Sequence, residues 1–308
     1  MFRIRWFALA ASTVLTCTSL LGQGSGLTLL NDTSSMTGSG TLLVSGGTVS
    51  LNSGATYNVT GTTQLTSGSL YINSGSSATA TIFNQSGVTT LGGAGVISIT
   101  GPFSWTSGEM RGGGTTTANG GMAIGGSGNK DLLTRTLNNT GTTTWGGAGY
   151  IRVGEGSVIN NSGVWDAQSD TYLYNPFSGS AAFVNTGTFK KSAGSATTFV
   201  GIPMTNTGTI AAQSRTLSLG YANAGSTSSG ALTGSTGATL QFNGGIHDLN
   251  SGSSVSGTAR FLVSVMRRPS LTSVVERALG AVVHRDLQRL DQNPWIPVIR
   301  GALTGIPG

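Results

Sequence analysis

Side chains able to do chemistry are sparse in this chain. Between residues 25 and 265 the carboxylates are Asp32, Glu109, Asp131, Glu155, Asp166, Asp170 and Asp248. Glycoside hydrolysis needs two placed carboxyl groups, and lyase chemistry needs a base with cationic or metal support. Asp166 and Asp170 are the closest pair, and Tyr172 and Tyr174 follow them in the non-repetitive segment from Trp165 to Phe177. An insertion of this kind is expected as a surface loop. There, two acids and two aromatic rings would make a glycan contact, with solvated surface acids as the plainer alternative. His247-Asp248 pairs a base with a carboxylate, but neighbours on a strand point to opposite faces and no nucleophile accompanies them. A surface histidine is therefore expected.

Other motifs fall short of a site. Gly125-Gly126-Ser127-Gly128-Asn129-Lys130-Asp131 resembles a phosphate loop or a calcium-binding nonapeptide. A phosphate loop places Gly directly before the Lys, and the calcium repeat places Asp one position earlier in tandem copies. Thr115-Thr116-Thr117 suggests a flat hydroxyl ladder able to order water, but no regular Thr-x-Thr array runs along the chain. No catalytic residue, metal ligand or cofactor is assigned, and the chain is expected not to be an enzyme.

What must position any such site is a repeat. Leu137-Asn138-Asn139-Thr140-Gly141 is followed by Ile159-Asn160-Asn161-Ser162-Gly163, then Phe183-Val184-Asn185-Thr186-Gly187 and Met204-Thr205-Asn206-Thr207-Gly208. The intervals between Asn139, Asn161, Asn185 and Asn206 are 22, 24 and 21 residues. Weaker copies lie at Phe83–Gly87 and Tyr221–Gly225, and Asn52 and Asn73 are 21 apart. A longer echo relates Ser86–Ile99 to Thr140–Val153, each with a Gly-Gly-Ala-Gly core.

Glycine, threonine and serine at this density prevent helical runs. Short β-branched stretches between Gly and Asn turns read as strands of four to six residues. About three such strands fill one coil of a parallel β-helix whose coils pair backbone to backbone. Asn139, Asn161, Asn185 and Asn206 are expected at corners, in the left-handed conformation and bonding their own kind coil to coil. Gly141, Gly163, Gly187 and Gly208 are expected to supply positive φ. The fold class is all-β, a right-handed parallel β-helix, favoured over an antiparallel sandwich because only the solenoid explains the returning Asn-Ser/Thr-Gly period.

Domain organisation follows from composition. Residues 1–24 read as a secretory signal: Arg3 and Arg5, an apolar run from Trp6 to Leu21, then Gly22-Gln23-Gly24. Cys17, the single cysteine, falls inside it and faintly resembles a lipidation site, so the mature body has no disulfide. Residues 25–265 are the β-helix. Residues 266–308 depart from the pattern. Ser273–Glu276 fits a capping box, and Val275, Leu279, Val282, Val283, Leu287 and Leu290 fall at helical spacing. The tail is expected to be a helical cap or, since Gly257–Ser264 echoes Gly40–Ser45, a frame-shifted continuation of further coils.

The net charge of +6 sits mostly at the two ends. The body lacks the basic face that nucleic acid requires, and no later segment is long and apolar enough to span a membrane as a helix. At the Asn-Ser/Thr-Gly coils and Gly-Gly-Ala-Gly turns, over residues 40–264, the chain resembles the β-helical repeats of bacterial secreted adhesins of the autotransporter-passenger and filamentous-haemagglutinin type. The resemblance implies export, residence outside the cell or on its surface, and a structural or adhesive role. Surface glycans or host and matrix components would be partners, within a larger surface assembly. It brings no catalytic residues. The alternative is a carbohydrate-binding or polysaccharide-cleaving β-helix.

Overall fold

The computed structural model describes residues 20–220 and 225–264, with side chains from 24 onward, and short strand pieces at Phe2–Arg3, Phe7–Ala8, Val14–Thr16, Val274–Val275 and Val298–Arg300. Those pieces apart, the expected leader and tail lie outside the described residues. All regular structure in the described residues is strand, in about 11 turns of β-solenoid paired in parallel coil to coil, with the short piece Val274–Val275 antiparallel to Phe261–Leu262. No helix among them is long and apolar enough to cross a membrane. The chain divides into two compact units: Met1–Ile159 with Phe177–Ser180, and Asn160–Pro176 with Ala181–Gly308.

In the first unit each coil contributes three runs. The first face holds Leu27–Leu30, 48–51, 69–72, 90–91, Gly108–Arg111, Lys130–Leu133 and Ile151–Gly154. The second holds Ser35–Gly38, 56–59, 77–80, Val96–Ile99, Thr115–Ala118 and Thr136–Asn139. The third holds 41–44, 62–65, 82–85, Phe103–Trp105, Met122–Ile124 and Thr142–Trp145. Alternation along each run sends every second side chain inward.

The register then stacks like upon like. Leu42, Thr63, Phe83, Phe103, Met122 and Thr143 form one buried column. Phe83 and Phe103 meet edge to face at 5.4 Å. Each buried Leu, Ile, Val or Phe contributes about 1.5–3 kcal/mol, so the repeat needs one apolar position per inward step and little else.

The second unit follows the same plan. Trp165, Phe189, Ile210 and Leu232 stack in register in its core. Phe183 packs edge-on against both Trp165 and Phe189, at 5.3 Å each. Beside them Asn161, Asn185 and Asn206 are buried and form a ladder: each Nδ2 donates to the Oδ1 of the next, at 2.7 Å and 2.7 Å, and Asn206 Nδ2 then donates to Ser228 Oγ at 3.0 Å. A second ladder in the first unit joins Asn73 to Asn52 at 2.8 Å and Asn52 to Asn31 at 2.6 Å.

The backbone explanation for these residues is corrected. Asn139, Asn161, Asn185 and Asn206 end strands, and among the described residues the non-glycine positions at positive φ are instead Asp32, Thr134, Glu155 and Arg215. The recurring glycines of the motif do not need positive φ either. A Cβ on Gly187 would lie 2.1 Å from Gly163 O, and one on Gly208 2.0 Å from Gly187 O. Coil-to-coil approach, not handedness of the turn, demands glycine there.

Two of the weaker repeat signals also dissolve in three dimensions. Phe83–Gly87 lies on the third face of its unit, whereas Leu137–Asn139 lies on the second, so Asn84 is no rung of the ladder. Gly92–Gly95 turns from the first face to the second, while Gly146–Gly149 turns from the third to the first. The same Gly-Gly-Ala-Gly sequence therefore serves two different corners.

Candidate functional site

The segment from Trp165 to Phe177 is not an inserted loop. It carries two coil strands, Val164–Ala167 and Tyr172–Tyr174. Asp166 sits on the first beside its register partner Lys190. Its Oδ2 accepts from Gln168 Nε2 at 3.0 Å and lies 3.5 Å from Lys190 Nζ, and the residue is only 7% exposed. A carboxylate so enclosed is a poor handle for a polymer in solution.

Asp170 occupies the bend before Tyr172 and closes the adjoining coil. Its Oδ1 accepts from Lys191 Nζ at 2.8 Å, and its Oδ2 from the Ser195 amide at 2.7 Å and Ser195 Oγ at 3.2 Å. Lys191 points into the core with no exposure and also donates to Thr198 Oγ1 at 2.9 Å. Burial alone would raise the Asp170 carboxyl; the hydrogen bonds from Lys191 and the Ser195 and Ala196 amides, with the lysine charge, outweigh it and hold the group below the usual carboxylate range. The acid is a clasp on a buried cation. Asp166 and Asp170 thus have separate partners.

Tyr172 and Tyr174 do face outward, with Leu173 buried between them. Tyr172 lies flat on Phe199, its register partner, with centroids 4.5 Å apart and rings 4° from parallel. Tyr174 meets Tyr172 edge-on at 6.4 Å. Of the four expected contact residues, the two rings form a surface patch and the two carboxylates are built into the coil.

Several groups escape a reading along the chain. Glu109 and Asp131, 22 residues apart, are direct register partners on the first face. Neither is idle: Glu109 accepts from Thr90 Oγ1 at 2.8 Å and lies 3.5 Å from Arg111, and Asp131 takes a two-pronged contact from Arg152, both bonds at 2.7 Å. The signal was the coil period itself, which brings any two residues so spaced together.

Two further cations are wholly buried. Arg135 donates Nε to Thr116 Oγ1 at 2.8 Å and its terminal nitrogens to the carbonyls of Gly93, Arg111 and Thr115. Lys130 reaches Gly149 O at 3.5 Å, and burial lowers its ammonium to about 8. Both fill glycine corners, where a Cβ on Gly114 or Gly149 would come within 2.9 Å of the charged nitrogen. The lysine of the phosphate-loop look-alike is thus turned inward to its own backbone.

His247 is not at the surface but fully buried, against Phe242 at 5.0 Å. Its Nε2–H donates to Gly244 O at 2.7 Å, so Nδ1 accepts from Ser226 Oγ at 2.6 Å. Burial pushes the imidazole below its ordinary range, against the Gly244 bond and the Asp248 charge. The hydroxyl–imidazole pair has the connectivity of a nucleophile and base, but it belongs to the inward column Phe183, Met204, Ser226, His247. Among the described residues no three His, Cys, Asp or Glu gather to hold a metal ion.

No protein-family model, curated protein or solved structure matches the chain.

Proposed function

We propose that the chain is an exported structural or adhesive repeat protein, resident outside the cell or on its surface, and that it catalyses no reaction. The observation that carries this reading is the use made of the reactive side chains. Asp170, Lys191, Lys130, Arg135 and His247 are each spent on holding one coil to itself or to the next. A repeat whose polar core serves only stacking is suited to present a long, regular surface. Surface glycans or matrix components, met within a larger assembly, are the partners such a surface would take.

The test is turnover and attachment measured together. The purified chain is incubated with neutral and acidic polysaccharides, and the cells bearing it are scored for adhesion with and without the gene. Release of sugar that disappears in Asp166→Ala or Asp170→Ala overturns the proposal; adhesion without release supports it.

A second reading, glycan binding without cleavage, is favoured by one feature: the Tyr172–Phe199 stack with Tyr174 beside it. Aromatic faces and edges suit the apolar faces of sugar rings. Tyr172→Ala that lowers retention on a glycan column while leaving the fold intact would support it.

A further inference from the structure

Parallel sheets are normally covered on both faces. In the first unit the outward side of the second face carries no covering element among the described residues, and its composition is unusual. One outward column, in register from coil to coil, is Ser35, Thr56, Ser77, Val96, Thr115 and Thr136. The other, two residues further along each strand, is Thr37, Asn58, Thr79, Ser98, Thr117 and Asn138. All twelve are exposed or half-exposed; eleven carry a hydroxyl or an amide, six are threonines, and none is charged or aromatic. No regular Thr-x-Thr array runs along the chain, but the register assembles a Ser/Thr-x-Ser/Thr/Asn pattern in five coils of six.

The polar groups of this face are largely unspent. Ser98 accepts from Asn119 at 2.8 Å, and Asn138 donates to Thr117 at 3.4 Å. Ser35, Thr37, Thr56, Asn58, Ser77, Thr79, Thr115 and Thr136 make no side-chain hydrogen bond to the described protein. Their positions form a regular grid with steps of about 4.8 Å between coils and about 6.7 Å between columns. Hydroxyls fixed on such a grid hold first-layer waters at repeating positions, and the methyls of threonine and of Val96 order the water between them. Both steps lie close to oxygen repeats on the faces of hexagonal ice.

We propose that this face binds ice through a layer of water held by the Ser/Thr/Asn grid. The chemistry of the face disfavours other occupants. Without charge it has nothing for phosphate or a charged mineral, and without aromatic rings it lacks a platform for sugar stacking. The match of a neutral two-dimensional grid to a neutral lattice is the complementarity that remains. The inference goes beyond the proposed surface role and does not depend on it, since the grid belongs to the first unit and the aromatic patch to the second.

The test grows ice slowly from a dilute solution of the full chain and measures the protein fraction taken into the ice, with the freezing-point gap of single crystals as a second readout. The wild type is expected to concentrate in the ice. Thr79→Lys with Thr117→Lys, at the centre of the grid, should abolish uptake at unchanged far-ultraviolet circular dichroism, while Gln64→Lys on the third face should retain it. If the lysine pair fails to fold, Thr79→Ala with Thr117→Ala should still lower uptake. Exclusion of the wild type from ice, or equal uptake by folded wild-type and double-variant proteins, overturns the proposal. So does retention on insoluble cellulose or chitin with exclusion from ice, which would assign the face to a polysaccharide.

Discussion

Asn185→Ala isolates what holds the second unit together. The residue has no exposure. Its Oδ1 accepts from Asn161 at 2.7 Å, and its Nδ2 donates to Asn206 Oδ1 at 2.7 Å, to Thr209 O at 3.1 Å and to Gly187 O at 3.2 Å. Two to three bonds at about 1 kcal/mol each are lost on truncation, and Asn206 Oδ1 is stranded in the core for about 1–3 kcal/mol more. The expected loss is therefore about 3–5 kcal/mol. Asn161 suffers less, because its Nδ2 keeps Thr188 O at 3.0 Å. Equilibrium urea unfolding followed by circular dichroism reads the loss as a lower midpoint at constant slope. Adding Asn206→Ala should cost less than it does alone, since the stranded acceptor goes with it, giving a coupling of about 1–2 kcal/mol. Thr205→Ala on the outward side should stay within about 0.5 kcal/mol. A loss under about 1 kcal/mol for Asn185→Ala, or strict additivity with Asn206→Ala, would refute the ladder as a source of stability.

Gly114→Ala should destabilise by about 3 kcal/mol or more or block folding, because its Cβ would lie 2.1 Å from Gly95 O, while Gly113→Ala, with nothing within 4 Å, should be neutral or slightly stabilising; thermal melts of the pair check this. The Lys130 ammonium has a folded value of about 8 against an ordinary 10.5. The unfolded chain therefore binds more protons across that window, so stability should rise between about pH 8 and 10.5, and Lys130→Met should flatten the rise in urea titrations at each pH. For Asp170 the slope has the same sign in an acid window: its carboxyl is held low in the fold, so it stabilises above the ordinary carboxylate range and that share is lost as pH falls through the folded value. Asp170→Asn should remove this acid limb and, by stranding buried Lys191, cost about 3–5 kcal/mol at neutral pH, measured by the same titration.

What was legible in the sequence is what the stacking physics forces to repeat. Asn161, Asn185 and Asn206 recur because an amide bonds best to its own copy one coil on, and Gly187 and Gly208 recur because each sits on the carbonyl of the glycine beneath. The inward apolar positions were legible for the same reason. Charges were misread. Asp166 and Asp170 looked like a pair because they lie four positions apart, yet a bend puts them on different runs of the coil with different lysines. Glu109 and Asp131, 22 positions apart along the chain, are register neighbours. Lys130, Arg135 and His247 belong by type on the surface; only the glycine corners and the Gly244 carbonyl, visible in three dimensions, explain their burial. Thr115-Thr116-Thr117 suggested a hydroxyl ladder, but the extent of the Ser/Thr/Asn grid was hidden because its regularity runs across coils, at intervals of 19 to 21 residues, and not along any strand.

The proposed role places this β-solenoid outside the cell, as a surface or extracellular adhesive element. It is tested by staining intact producing cells with an antibody raised against the chain and, in parallel, probing the washed cells and the medium for it. The account predicts labelling on intact cells or recovery from the medium, at levels matching those after lysis. A chain labelled only after lysis, and absent from the medium, would contradict it.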